Sequence, residues 1–140
     1  MRTIEAYVRQ HQEILTLVTD VLGSLDRAAV QRHPSRVLEQ IQRLAQALRM
    51  HLAQEDLGVY PILLRHADVR VRETAQQFQD TMGGLSHQFE GFLERWKTSD
   101  TLQAAPEPFI QETRDLFEAL AKRILSEDTI LYPLADNPGQ

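Results

Sequence analysis

Four stretches of this chain space their apolar residues three and four positions apart, a period that suits α-helices packed against one another and little else. The first stretch should run from about Thr3 to Arg27. It sets Ile4, Tyr7, Val8, Ile14, Leu15, Val18, Val21, Leu22 and Leu25 on one face, with His11 among them. His33-Pro34-Ser35 breaks the chain. A second stripe holds Val37, Leu38, Ile41, Leu44, Ala45, Leu48, His51, Leu52, Glu55 and Val59, and Ala67-Asp68 closes it. The third holds Val71, Ala75, Phe78, Met82, Leu85, Phe89, Phe92, Leu93 and Trp96. Thr98 to Pro108 reads as a loop whose two prolines suit the first turn of the next helix. The fourth stripe is Phe109, Thr113, Leu116, Leu120, Arg123, Ile124, Glu127 and Leu131, and the tail from Asp136 to Gln140 should fray. Strand signals are nearly absent: there is no sustained alternation and no Asn-Gly or Asp-Gly turn. Long helices with short connections pack as antiparallel neighbours. The expected fold is therefore all-α, an antiparallel up-down-up-down four-helix bundle spanning residues 1–140 as one domain.

Composition narrows the chemistry more than the fold. The chain has no cysteine, which removes disulfides, iron–sulfur clusters and thiolate metal sites together. A metal here would have to use imidazole and carboxylate, ligands suited to iron, manganese or zinc. Net charge is −5 with no Lys/Arg block, which argues against a nucleic-acid partner. No apolar run approaches the ~20 residues that a bilayer requires. Charges also interrupt the N-terminal residues too often for a signal peptide. These features lead to the expectation of a cytoplasmic protein with no membrane partner.

The informative residues are the polar ones that interrupt the apolar stripes. His11 lies three positions from both Val8 and Ile14, inside the first stripe. His51 and Glu55 are four apart, so they leave one helix face a turn apart, and Arg123 and Glu127 do the same on the fourth helix. A buried carboxylate costs several kcal/mol unless it is paired or coordinates a metal. An internal repeat sharpens the pattern. His51-Leu-Ala-Gln-Glu55-Asp56 followed by Tyr60-Pro61 recurs, 72 residues on, as Arg123-Ile-Leu-Ser-Glu127-Asp128 followed by Tyr132-Pro133. Each proline cannot hydrogen-bond back along its helix and should kink it just past the glutamate. The first and third stripes superpose at an offset of 71, placing Ile14 on Leu85, Val18 on Phe89 and Val21 on Phe92. The chain thus reads as two helical hairpins related by a pseudo-twofold axis.

The lone His11, the HxxxE of His51 and Glu55 with its Tyr-Pro, and the late Glu127-Asp128 with Tyr132-Pro133 together resemble the hemerythrin-like (HHE) family. The resemblance covers essentially the whole chain. It implies a helical bundle around a non-haem iron centre of one or two ions, bound by histidines and bridging carboxylates. It also implies a small ligand such as oxygen, nitric oxide or peroxide. Carried over by position, His11, His51, Glu55 and Glu127 are the implied metal ligands, and some members place the last of them one residue later, at Asp128.

The second half departs from that pattern. Arg123 stands where His51 is echoed and Met82 where His11 is echoed. Arginine has no lone pair for a metal, and a thioether is a soft ligand, poor for iron beside carboxylates. His87 falls with Gly83, Gly84, Gly91 and Glu94 on the face opposite the third apolar stripe, read as outward. That glycine-rich face suits either close helix packing or a homodimer contact. Asp56 and Asp128 point about 100° away from their neighbouring glutamates, as surface residues or as acceptors behind the ligands. His33 and His66 sit at helix ends and receive little functional weight. Arg123 could snorkel to solvent, pair with Glu127 on the helix surface, or bridge Glu55 and Glu127 in place of a metal; the last is the favoured expectation.

The leading expectation is a single iron held by His11, His51, Glu55 and Glu127, serving binding or sensing rather than catalysis. A carrier of oxygen draws on two irons, so sensing or modest redox reactivity suits one ion better. A metal-free bundle acting as a protein-interaction module is the rival class. An intact two-iron centre with Glu90, His87 or water as replacement ligands is the third.

Overall fold

In the computed structural model, which describes residues 2–135, every regular element among the described residues is helical. The apolar stripes become the buried faces of four long helices, and short helical pieces make the connections. Helix α1 (Arg2–Gly23) is followed by α2 (Arg27–Arg32) and by α3 (Pro34–Gly58), which continues into α4 (Tyr60–Leu63). Then come α5 (Val69–Arg95), α6 (Ser99–Ala104) and α7 (Pro106–Ser126). A π-helical turn over Glu127–Leu131 leads into α8 (Tyr132–Ala135).

Two boundaries differ from the sequence expectation, each for a capping reason. The first long helix stops at Gly23 rather than Arg27, because the Asp26 side chain accepts the Ala29 N–H at 2.7 Å and starts α2. The expected loop over 98–108 is mostly helical. Thr98 caps α6 through the Thr101 N–H, and Leu102, fully buried, pins that short helix to the core. Only Ala105 then separates α6 from α7, whose first turn carries Pro106. The tail residues 136–140 lie outside the described residues.

Both prolines disturb their helices where the repeat predicts. Helix α3 gives way at Val59 (φ −110°, ψ −59°) just before Tyr60-Pro61. In the second half, α7 widens into the π turn, in which the Tyr132 N–H donates to the Glu127 carbonyl five residues back. Five residues of regular α-helix would leave Glu127 and Tyr132 about 140° apart on the helix. The wider turn lets both side chains face the interior, where Glu127 is fully buried and Tyr132 nearly so.

The core divides into two apolar clusters. One gathers Ile14, Val18, Ile41, Leu44, Phe89, Phe117 and Leu120, with Phe89 stacked on Phe117 at 5.6 Å between centroids. The other gathers Ile4, Tyr7, Val59, Leu63, Phe78, Leu131 and Tyr132. Along each long helix the two are separated at one level. That level falls at His11 on α1, at His51 and Glu55 on α3, at Met82 on α5 and at Glu127 where α7 ends. The buried polar residues therefore form a layer between two hydrophobic blocks. The glycine face of α5 is open: an added Cβ at Gly83 or Gly84 would meet nothing within 4 Å, so close helix packing within the chain does not explain it.

Candidate metal centre

Four side chains meet in that layer. His11, His51, Glu55 and Glu127 are all buried, and one ligand atom from each lies within 4.8 Å of the others. The two Nε2 atoms of His11 and His51 are 2.8 Å apart. His11 Nε2 lies 3.0 Å from Glu127 Oε1, and His51 Nε2 lies 3.3 Å from Glu55 Oε1. Both of those carboxylate oxygens are buried without a hydrogen-bond partner. Buried polar atoms are almost always satisfied, so two orphaned oxygens beside two facing ring nitrogens need a positive charge among them.

The outer edge of each imidazole is held. His11 Nδ1 lies 2.7 Å from Asp128 Oδ1, and His51 Nδ1 lies 2.6 Å from Gln10 Oε1. A carboxylate and an amide oxygen accept there, which assigns the proton to each Nδ1 and turns each Nε2 inward. Gln10 is held in turn, its amide N–H donating to Gln54 Oε1 at 2.5 Å. The outer carboxylate oxygens are held by hydroxyls: Tyr60 donates to Glu127 Oε2 at 3.0 Å, and Tyr132 to Glu55 Oε2 at 2.8 Å.

The electrostatics express the same need for a cation. Burial works to lower the His51 pKa, but Glu127 and Glu55 outweigh it and hold the imidazole up at about 9. Burial would raise the Glu127 carboxyl, yet His11 and His51 bring it down to about 2. Glu55 is raised above the ordinary carboxylate range, chiefly by burial. Burial and the two glutamates push the Tyr60 and Tyr132 hydroxyls far above an ordinary phenol, so both stay donors. The positive charge in the cluster can be a proton on an imidazole or a metal cation in its place. Imidazole and carboxylate donors without sulfur fit iron, manganese or zinc, so the residues present fit a metal ion.

The remaining residues singled out in the sequence fall in different places. Asp128 reaches the cluster, but through His11 and from behind it. Met82 is 3% exposed and faces the interior, while His87 is on the exposed face of α5, the orientation that the apolar stripe predicts. His87 is therefore no replacement ligand for a second ion. Glu90 is exposed as well, paired with Arg49 at 2.5 and 2.8 Å. Asp56 and His33 are exposed, and His66 is buried at a helix end, where its Nδ1 accepts the Asp68 N–H.

Arg123 corrects the favoured expectation. Its guanidinium does not bridge the glutamates; it lies over the Phe78 ring, 4.8 Å from the centroid, and makes no hydrogen bond or ion pair among the described residues. The long side chain lets its charge lean out of the interior, where burial would be costly, while its stem covers apolar surface. The oxygens it was expected to satisfy receive tyrosine hydroxyls instead. Sequence reading missed Gln10, Tyr60 and Tyr132. For the tyrosines a signal existed, because the repeat preserves Tyr-Pro at a fixed distance beyond each glutamate; for Gln10 there was none.

No curated protein and no solved structure matches this chain. The family of hemerythrin HHE cation-binding domains matches it over residues 2–135, a span that includes His11, His51, Glu55, Glu127, Tyr60 and Tyr132. The chain belongs to the hemerythrin HHE cation-binding domain family.

Proposed function

We propose that the protein binds one non-haem iron through His11, His51, Glu55 and Glu127 and uses it to bind or sense a small molecule such as oxygen, nitric oxide or peroxide. On this reading residues 1–140 form one cytoplasmic domain, an antiparallel up-down-up-down four-helix bundle around the metal. The observation that carries the proposal is the pair of buried Oε1 atoms without hydrogen-bond partners, set beside two inward-turned Nε2 atoms. Bound iron would supply redox chemistry and, with four protein ligands, an open coordination position. The chain's own residues do the rest. Asp128 and Gln10 fix the rings, and the apolar clusters on either side keep bulk water away from the layer. A groove of about 340 Å³, with Gln10, Ile14, Met50, His51 and Gln54 among its walls, gives a small molecule an approach to the His51 side. Nitric oxide added without oxygen to the iron(II)-loaded protein should produce new visible absorption, and the metal-free protein should stay silent. An unchanged spectrum of the loaded protein under excess nitric oxide would contradict the small-molecule part of the proposal.

A further inference from the structure

We infer that the phenol oxygen of Tyr132 is a fifth ligand of the same metal ion, an inference that rests on the four-ligand set just proposed. Donors that share one ion at about 2.0–2.2 Å stand about 3–3.5 Å apart when they meet it at right to tetrahedral angles. Neighbouring ligand atoms of His11, His51, Glu55 and Glu127 keep that spacing, at 2.8, 3.0 and 3.3 Å. The Tyr132 oxygen keeps it too, 3.0 Å from His11 Nε2 and 3.5 Å from His51 Nε2. Its ring is stacked on the His11 imidazole, with centroids 5.0 Å apart and planes 14° from parallel, which fixes the oxygen among the donors. Tyr60 is placed differently. Among the described residues its hydroxyl has one polar partner, Glu127 Oε2, and it reaches neither imidazole.

The backbone is shaped to the same end. The π turn carries Tyr132 round to the side of Glu127, and such turns are rare and recur at functional sites. The first half reaches Tyr60 through the break at Val59 instead. Charge gives the oxygen its role. Two glutamates balance iron(II), but iron(III) leaves one positive charge unbalanced in a buried layer, and a phenolate supplies the third negative charge. Tyrosine ligates haem iron in the same chemical form. Without a metal the hydroxyl donates to Glu55 Oε2, and a cation among the donors reverses the field that the glutamates set up there. On ligation the O–H bond breaks, an oxygen lone pair forms the bond to iron, and the proton is released to solvent. Six-coordinate iron would then keep one open position for the small molecule.

The test loads the protein with iron(II) in the absence of oxygen. Ferricyanide is then added as the oxidant, taking one electron from each iron and leaving ferrocyanide. The parent should gain a broad visible charge-transfer band, and resonance Raman excitation within it should enhance tyrosine ring vibrations that shift when the tyrosine is ring-deuterated. Y60F should keep the band. Y132F should still bind one iron per chain and lose the band, with circular dichroism as the check on its fold. Should Y132F fail to fold, the chain's three tyrosines allow assignment by elimination: ring vibrations that persist in both Y7F and Y60F belong to Tyr132. A parent that holds one iron(III) without tyrosine vibrations overturns the inference and leaves the four-ligand reading standing. A band that survives in folded Y132F, or that disappears in Y60F or Y7F with iron still bound, also overturns it. A parent that binds no iron overturns the ligand reading, and the inference with it.

Discussion

His51→Ala is expected to give a folded, helical protein that purifies essentially without metal. His51 is 1% exposed, and its Nε2 stands 2.8 Å from that of His11, within the buried cluster. Changing a residue behind a metal ligand typically costs 10- to 100-fold in affinity, and removing the ligand itself should cost more. The fold should tolerate the change, because alanine favours the helix and packing rests on the apolar faces. Metal content per chain, measured beside far-ultraviolet circular dichroism, separates the two effects. Full metal content in His51→Ala would show that the ligand assignment is wrong.

Phe117→Ala should produce the opposite pattern. Phe117 is fully buried, stacked on Phe89 at 5.6 Å and set edge-on to Phe92 at 5.8 Å, and it lies in the cluster away from Tyr60 and Tyr132. Truncating a buried phenylalanine costs about 3–5 kcal/mol, a large part of the roughly 5–15 kcal/mol that holds a domain folded. The ligands would remain, so metal should offset part of the loss by mass action, by about 2.7 kcal/mol at a hundredfold excess over Kd. Urea unfolding with and without added metal reads both quantities. A loss under about 1 kcal/mol would show that this cluster is not the core the packing indicates.

The helical class was legible because the apolar period runs through every long segment, and the four residues of the polar layer were legible because each breaks that period. His11, His51, Glu55 and Glu127 each interrupt a stripe of residues that is otherwise buried. The groups around them were harder to read. Gln10 follows Arg9 on the outward side of α1, and only the crossing of α1 and α3 brings its amide to His51. Tyr60 and Tyr132 look like ordinary core aromatics, and their polar role depends on backbone breaks that helix periodicity does not encode. Arg123 misled for a related reason. Its place in the repeat marks where a ligand would stand, but so long a side chain can carry its charge away from the place where its backbone points.

The most direct test of the account is iron per chain in protein produced under iron-replete conditions. The account expects one iron per chain, and expects it to be lost when any of His11, His51, Glu55 or Glu127 is replaced by alanine. Protein that carries no iron and takes up none when iron(II) is supplied without oxygen would contradict it, as would iron that survives those four substitutions.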